Sequence, residues 1–111
     1  MRPPTGPSRA AERRHEGIEY EIAQEKAAAL GRSARRLEDA LSALAAFDAA
    51  PPPRDPARRE ALLRAAGETL WYYVVQREAV GMRDTEVVMR ELRVPREVQL
   101  RMGVFPSRED R

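Results

Sequence analysis

Cysteine is absent from this 111-residue chain. That excludes disulfides, thiolate metal sites and cysteine nucleophiles, and it suits a reducing cytoplasm, where we expect the protein to reside. Histidine occurs once, as His15, and lysine once, as Lys26. Long apolar runs are also missing. The longest, Leu70 to Val75, is far too short to cross a bilayer, so no membrane partner is expected. Residues 1–11 are rich in proline and arginine without an apolar stretch, so no secretory signal is visible.

Charge of one sign is missing too. Twenty basic residues face eighteen acidic ones, for a net charge of +2. The two signs are interleaved along helical stretches, which gives solvated faces with i,i+4 pairs rather than a positive field. Nucleic acid is therefore disfavoured as a partner despite a pI near 9.5. No glycine-rich phosphate loop or Gly-x-Ser-x-Gly elbow occurs, and His15 is not pre-placed for any serine. Glu12, His15 and Glu19 share a helix face, and Glu-x-x-His is a spacing used by di-iron bundles. One copy at a helix start, beside Arg13 and Arg14, falls short of such a site, and an exposed surface histidine is the better reading. We expect no catalytic, metal or cofactor residues, and no enzymatic activity.

What is present is helical pattern. Residues 1–11 read as an N-terminal arm. From about Glu12 to Phe47 runs a long helix. Ala23, Ala27, Leu30, Ala34, Leu37, Leu41 and Leu44 recur on it in steps of three and four, as in a coiled-coil seam. Ile18 and Ile22 lie off that seam and predict a second buried face. Gly31 predicts either a kink or a close approach of another backbone.

Residues 48–55 form a proline-rich linker that no helix continues through. Asp55 and Pro56 are an N-cap and a first-turn proline for a second helix, running to about Val80 and stopping at Gly81. Leu62, Leu63, Ala66, Leu70, Tyr73 and Val74 make its main stripe. Trp71, Tyr72 and Tyr73 are half of the chain's six aromatic residues. The run Leu70 to Val75 is apolar on every side of a helix, so it predicts a segment enclosed all round. A strand reading of this run fails, because no second strand exists to pair with it. Asp84 caps a short helix to about Leu92. Pro95 opens another through Met102, ended by Gly103, after which Val104 and Phe105 dock back. Residues 106–111 read as a polar tail. The domain is thus a single helical unit over residues 12–105.

The expected fold is all-α: two long helices as a helical hairpin, then two short C-terminal helices, completing a bundle as a homodimer. The first helix is about 50 Å long, whereas a compact chain of this size has a radius of gyration of about 13 Å. Each wet leucine forfeits roughly 1.5–3 kcal/mol. Ala27, Leu30, Gly31, Ala34, Leu37, Leu41 and Leu44 are therefore the interface candidates, for a second copy or another protein. Folding as a single copy with a kinked first helix is the competing view.

Two other readings compete. Residues 85–102 have the outline of a helix-turn-helix, with Arg96, Gln99 and Arg101 to meet base edges. The turn carries Arg93 where that motif favours glycine, so structural packing is the better reading. Trp71, Tyr72, Arg77, Arg83 and Asp84 could line a pocket for an anion or carboxylate, as a ligand binder or enzyme. Capping and pairing of helix ends explains the same charges more simply.

The stretch Trp71-Tyr-Tyr-Val-Val-Gln-Arg-Glu-Ala-Val-Gly-Met-Arg-Asp84, followed by Val94-Pro-Arg-Glu-Val98, resembles a family of short bacterial all-helical proteins without a known function, over about residues 16–105. The resemblance implies an all-helical cytoplasmic protein and brings no catalytic residues with it. The leading functional expectation is a non-enzymatic interaction or scaffold protein acting as a dimer. The runner-up is a small DNA-binding regulator.

Overall fold

A computed structural model describes residues 8–103. The expected arm over residues 1–7, the tail at 106–111 and the docking of Val104 and Phe105 lie outside the described residues. Four helices follow in order: α1 (Arg9–Ala49), α2 (Pro56–Ala79), α3 (Thr85–Glu91) and α4 (Arg96–Gln99). No strand occurs among the described residues, so the all-α expectation holds.

Each boundary has a local cause. Ser8 opens α1 by accepting a hydrogen bond from the Ala11 amide, 3.2 Å away. The helix thus starts three residues before the expected Glu12, and residues 9–11 belong to it. Asp55 caps α2 through the Ala57 amide, with Pro56 in the first turn. Asp84 caps α3 through the Val87 amide. α2 ends in a left-handed turn at Gly81 (φ +88°). There the Met82 amide donates to the Arg77 carbonyl and the Gly81 amide to the Glu78 carbonyl, which pairs the last free carbonyls. α3 ends with the same pattern, because the Val94 amide reaches the Met89 carbonyl and the Arg93 amide that of Arg90. Here the left-handed position is Arg93 (φ +50°), a non-glycine residue held where glycine is favoured.

α1 and α2 pack side by side in opposite directions. Asp48, near the end of α1, bonds Arg59 near the start of α2. Leu30, further back along α1, lines a groove with Ala79 and Val80 at the end of α2. The core joins Leu37 and Leu44 of α1 to Leu63, Ala66, Leu70 and Val74 of α2, and is closed by Val88 of α3, by Val94 in the turn before α4 and by Val98 of α4. Leu37, Ala66, Leu70 and Val98 are fully enclosed.

Three expectations need correction. α1 is continuous through Gly31. A methyl group built there would meet only the Arg35 guanidinium, at 3.5 Å, so no backbone approaches it. The close approach is at Gly67 instead, where an added Cβ would lie 2.8 Å from the Arg101 carbonyl oxygen. The bare Gly67 backbone is what lets the chain after α4 lie against α2. Second, Ile18 and Ile22 are not buried but 55% and 49% exposed. α1 has 41 residues and α2 has 24. At 1.5 Å per residue α1 runs about 25 Å past its neighbour, and the two isoleucines lie on that overhang. Third, Leu70 to Val75 is not enclosed all round. Leu70 and Val74 are buried, Trp71 and Tyr73 half-buried, and Tyr72 and Val75 remain 49% and 40% exposed.

The two glycines should respond oppositely to alanine. Gly67→Ala forces its methyl against backbone and should cost about 1–3 kcal/mol. Gly31→Ala should be neutral or stabilise by up to about 1 kcal/mol. Urea denaturation of the two variants beside the parent measures the difference, and equal effects would refute the placement of the close contact.

Candidate functional site

α3 and α4 do not wrap α2 completely. α2 packs against α1 and against the segment around α4, which meets it at Gly67, and at 100° per residue these two contacts leave a third side free. Ala61, Ala65, Glu68, Tyr72, Val75 and Ala79 lie on that side, and all six are exposed. Beside them, on the same side of the two-helix layer, α1 presents Ala29, Ser33 and Arg36. Ser33, Arg36, Thr69, Tyr72 and Gln76 line a shallow groove of about 110 Å³ between the helices. Lys26, Ala29, Gln76, Ala79 and Val80 line its continuation, of about 140 Å³. The Gln76 Oε1 atom is shielded from solvent and accepts no hydrogen bond among the described residues. Around the tip of α2, Ala23, Lys26, Ala27 and Leu30 line a larger groove of about 440 Å³ with Ala79 and Val80. This open face, apolar at its centre and edged by charge, is the candidate functional site.

The opposite end of the molecule is closed by ion pairs. Arg59 forks onto Asp48, with Nε to Oδ1 at 2.8 Å and Nη2 to Oδ2 at 3.0 Å. Its Nη2 also reaches Glu97 Oε2 at 2.8 Å, so one side chain links α1, α2 and α4. Arg101 forks onto Glu60, with Nε to Oε1 at 2.9 Å and Nη2 to Oε2 at 2.7 Å. Its Nη1 donates to the Glu97 carbonyl at 2.9 Å. These hydrogen bonds lower the carboxyl pKa of both Asp48 and Glu60 from their ordinary values. They raise those of Arg59 and Arg101.

The sequence-derived candidates separate accordingly. Leu37 and Leu44 are buried within the chain against α2 and are not offered to a partner. Leu30, Gly31, Ala34 and Leu41 are half-buried, and only Ala27 is exposed. The free apolar surface lies instead on α2 and on the α1 overhang. The nucleic-acid candidates are largely engaged: Arg101 holds Glu60, and Gln99 Nε2 donates to the Val94 carbonyl at 2.9 Å, leaving Arg96 exposed. The pocket candidates do not converge. Trp71 faces Gly103 and meets the Tyr72 ring edge-on at 5.2 Å between centroids. Arg77 lies over Tyr73, 5.7 Å from the ring centre. Arg83 lines a separate polar cavity with Glu78, and Asp84 caps α3. His15 pairs with Glu19 at 2.9 Å on the exposed overhang, and no group of three metal-ligating side chains gathers among the described residues. No helix there is long and apolar enough to cross a membrane.

A family model, described as a family of unknown function (DUF6665), matches residues 9–110. The chain belongs to the DUF6665 family. No curated protein and no solved structure matches it. The DUF6665 match spans all four helices, so the open face and the ion-paired end both lie within the family's extent.

Sequence reasoning missed the roles of Arg59 and Glu60. Their partners lie 11 and 41 residues away, so no local spacing reveals them. Sequence reasoning also missed the exposed α2 side, since Tyr72 and Val75 were expected to be enclosed with the rest of the run Leu70 to Val75.

The lowered carboxyls make a pH prediction. A carboxyl whose pKa falls on folding stabilises the fold above its unfolded value and loses that contribution as pH drops through its folded one. Unfolding midpoints should therefore fall as pH goes below about 4.5 for Glu60 and 3.8 for Asp48, their ordinary values. Glu60→Gln and Asp48→Asn should flatten that acid limb in thermal melts taken between pH 7 and pH 2.

Proposed function

We propose that the protein is a non-enzymatic helical interaction protein that acts as a homodimer, its two long helices forming a hairpin that completes a four-helix core with a second copy. The observation that carries this reading is the open face. A single chain covers α2 on two sides and leaves Tyr72 and Val75 wet on the third, with Ile18 and Ile22 wet on the overhang. Covering such half-exposed side chains contributes on the order of 1 kcal/mol each. The shape supports it as well. The radius of gyration is 21.1 Å, against about 13 Å for a compact chain of this length. An elongated helix pair exposes a flat two-helix side suited to packing against a copy of itself.

The DNA-binding reading has the left-handed turn at Arg93 in its favour, but Arg101 and Gln99, two of its three base-reading side chains, are held in contacts within the chain. The ligand-pocket reading finds no favouring observation, because its five side chains point to four different surroundings. The cytoplasm remains the compartment that a chain free of cysteine suits best.

Sedimentation equilibrium at micromolar concentration should give twice the chain mass of 12.6 kDa. Thermal midpoints should rise with protein concentration, as mass action requires of a dimer. A concentration-independent monomer would overturn the proposal.

A further inference from the structure

We infer that the dimer contact, which rests on the homodimer reading above, is an antiparallel pairing of α2 with α2 of a second copy, centred on Leu70 and made through Ala61, Ala65, Glu68, Tyr72, Val75 and Ala79. These six exposed positions follow one another in steps of four, three, four, three and four. That is the spacing of a two-helix seam, and here it lies outside the core. The six are also arranged symmetrically about residue 70. Turning a second copy end for end places Ala61 opposite Ala79, Ala65 opposite Val75, and Glu68 opposite Tyr72. Every contact then occurs twice, as a two-fold axis requires.

The chemistry selects the direction. In a parallel, in-register pairing Glu68 would face Glu68 of the second copy, two like charges taken from water together. In the antiparallel pairing each Glu68 carboxylate accepts a hydrogen bond from the opposing Tyr72 phenol, a charge-assisted bond made twice. Glu68 makes no ion pair among the described residues, so its carboxylate is available for this bond. Alanines at both ends let the helix axes approach to about 8 Å, and Val75 fills the space that Ala65 leaves.

Size agrees with this. The face is two helices wide, about 20 Å, and one α2 long, about 36 Å. Its area of roughly 700 Å², about half from the α2 seam and half from the α1 side with Ala29, Ser33 and Arg36, is close to the 800 Å² or so that each partner contributes to a stable interface. The register also accounts for the overhang. Centring on residue 70 carries the second α2 past the end of the first by about five residues. There it lies over the α1 segment around Ile22, which is half-exposed on the overhang.

The absence of cysteine makes the test clean. Ala65→Cys and Val75→Cys are both at exposed positions and give chains with a single thiol. Mixed and mildly oxidised, the two variants should form a disulfide-linked pair, whereas each alone should stay largely unlinked. Tyr72→Phe should weaken dimerisation about tenfold or more, since it removes both copies of the phenol bond. Linkage of Ala65→Cys to itself would show parallel pairing and overturn the inference. Absence of any link in a sample that sediments as a dimer would also overturn it, while leaving the homodimer standing. A monomer in sedimentation, with no link, would remove both.

Discussion

The structure depends on how α2 is covered. Its apolar residues extend around more than half of its circumference, and each side is met by a different neighbour. α1 takes one side through Leu37 and Leu44. The segment around α4 takes another, and can do so only because Gly67 has no side chain to hold the Arg101 backbone away. Once that contact is made, Glu60 and Arg101 come within forked hydrogen-bonding reach and Val98 is sealed. The third side, with Tyr72 and Val75, is left to the surroundings. That side and the α1 overhang, with Ile18 and Ile22, hold apolar surface that the chain does not cover by itself.

The ion-paired end and the open face are complementary in role. Arg59 and Arg101 make forked contacts that fix angles as well as distances, so they define how α1, α2 and α4 sit together. Such partly exposed pairs add little net stability. Their effect is geometric: they hold together the end of the layer where the linker and α4 meet.

Much of the architecture was legible from local signals. Asp55 with Pro56, Asp84, and Gly81 each act through their own backbone neighbours, and each ends or starts a helix where expected. The α2 stripe was legible because burial follows helical period. Long-range placement was not. Gly31 and Gly67 look alike in sequence, and only the path of the chain 34 residues later makes one of them indispensable. Ile18 and Ile22 have a buried look, yet nothing in the chain reaches far enough to cover them. The leucine seam illustrates the same limit: its spacing announces a partner, but the partner of Leu37 and Leu44 is the chain's own α2. Arg93 shows the converse, a turn whose hydrogen bonding overrides the residue's own preference.

The unequal lengths of α1 and α2 have a consequence for how one continuous helix behaves. Backbone amides around Leu37 and Leu44 are anchored by packing, so they open only when the whole fold opens. Those from Arg9 to about Glu25 rest on their own turns alone, a length at which an isolated helix is marginal in water. Deuterium uptake should therefore be graded along a single unbroken rod, fast at its beginning and slow past its middle. Capture of that rod's first half by another molecule would register as a slowing of exchange there, with no change in shape elsewhere.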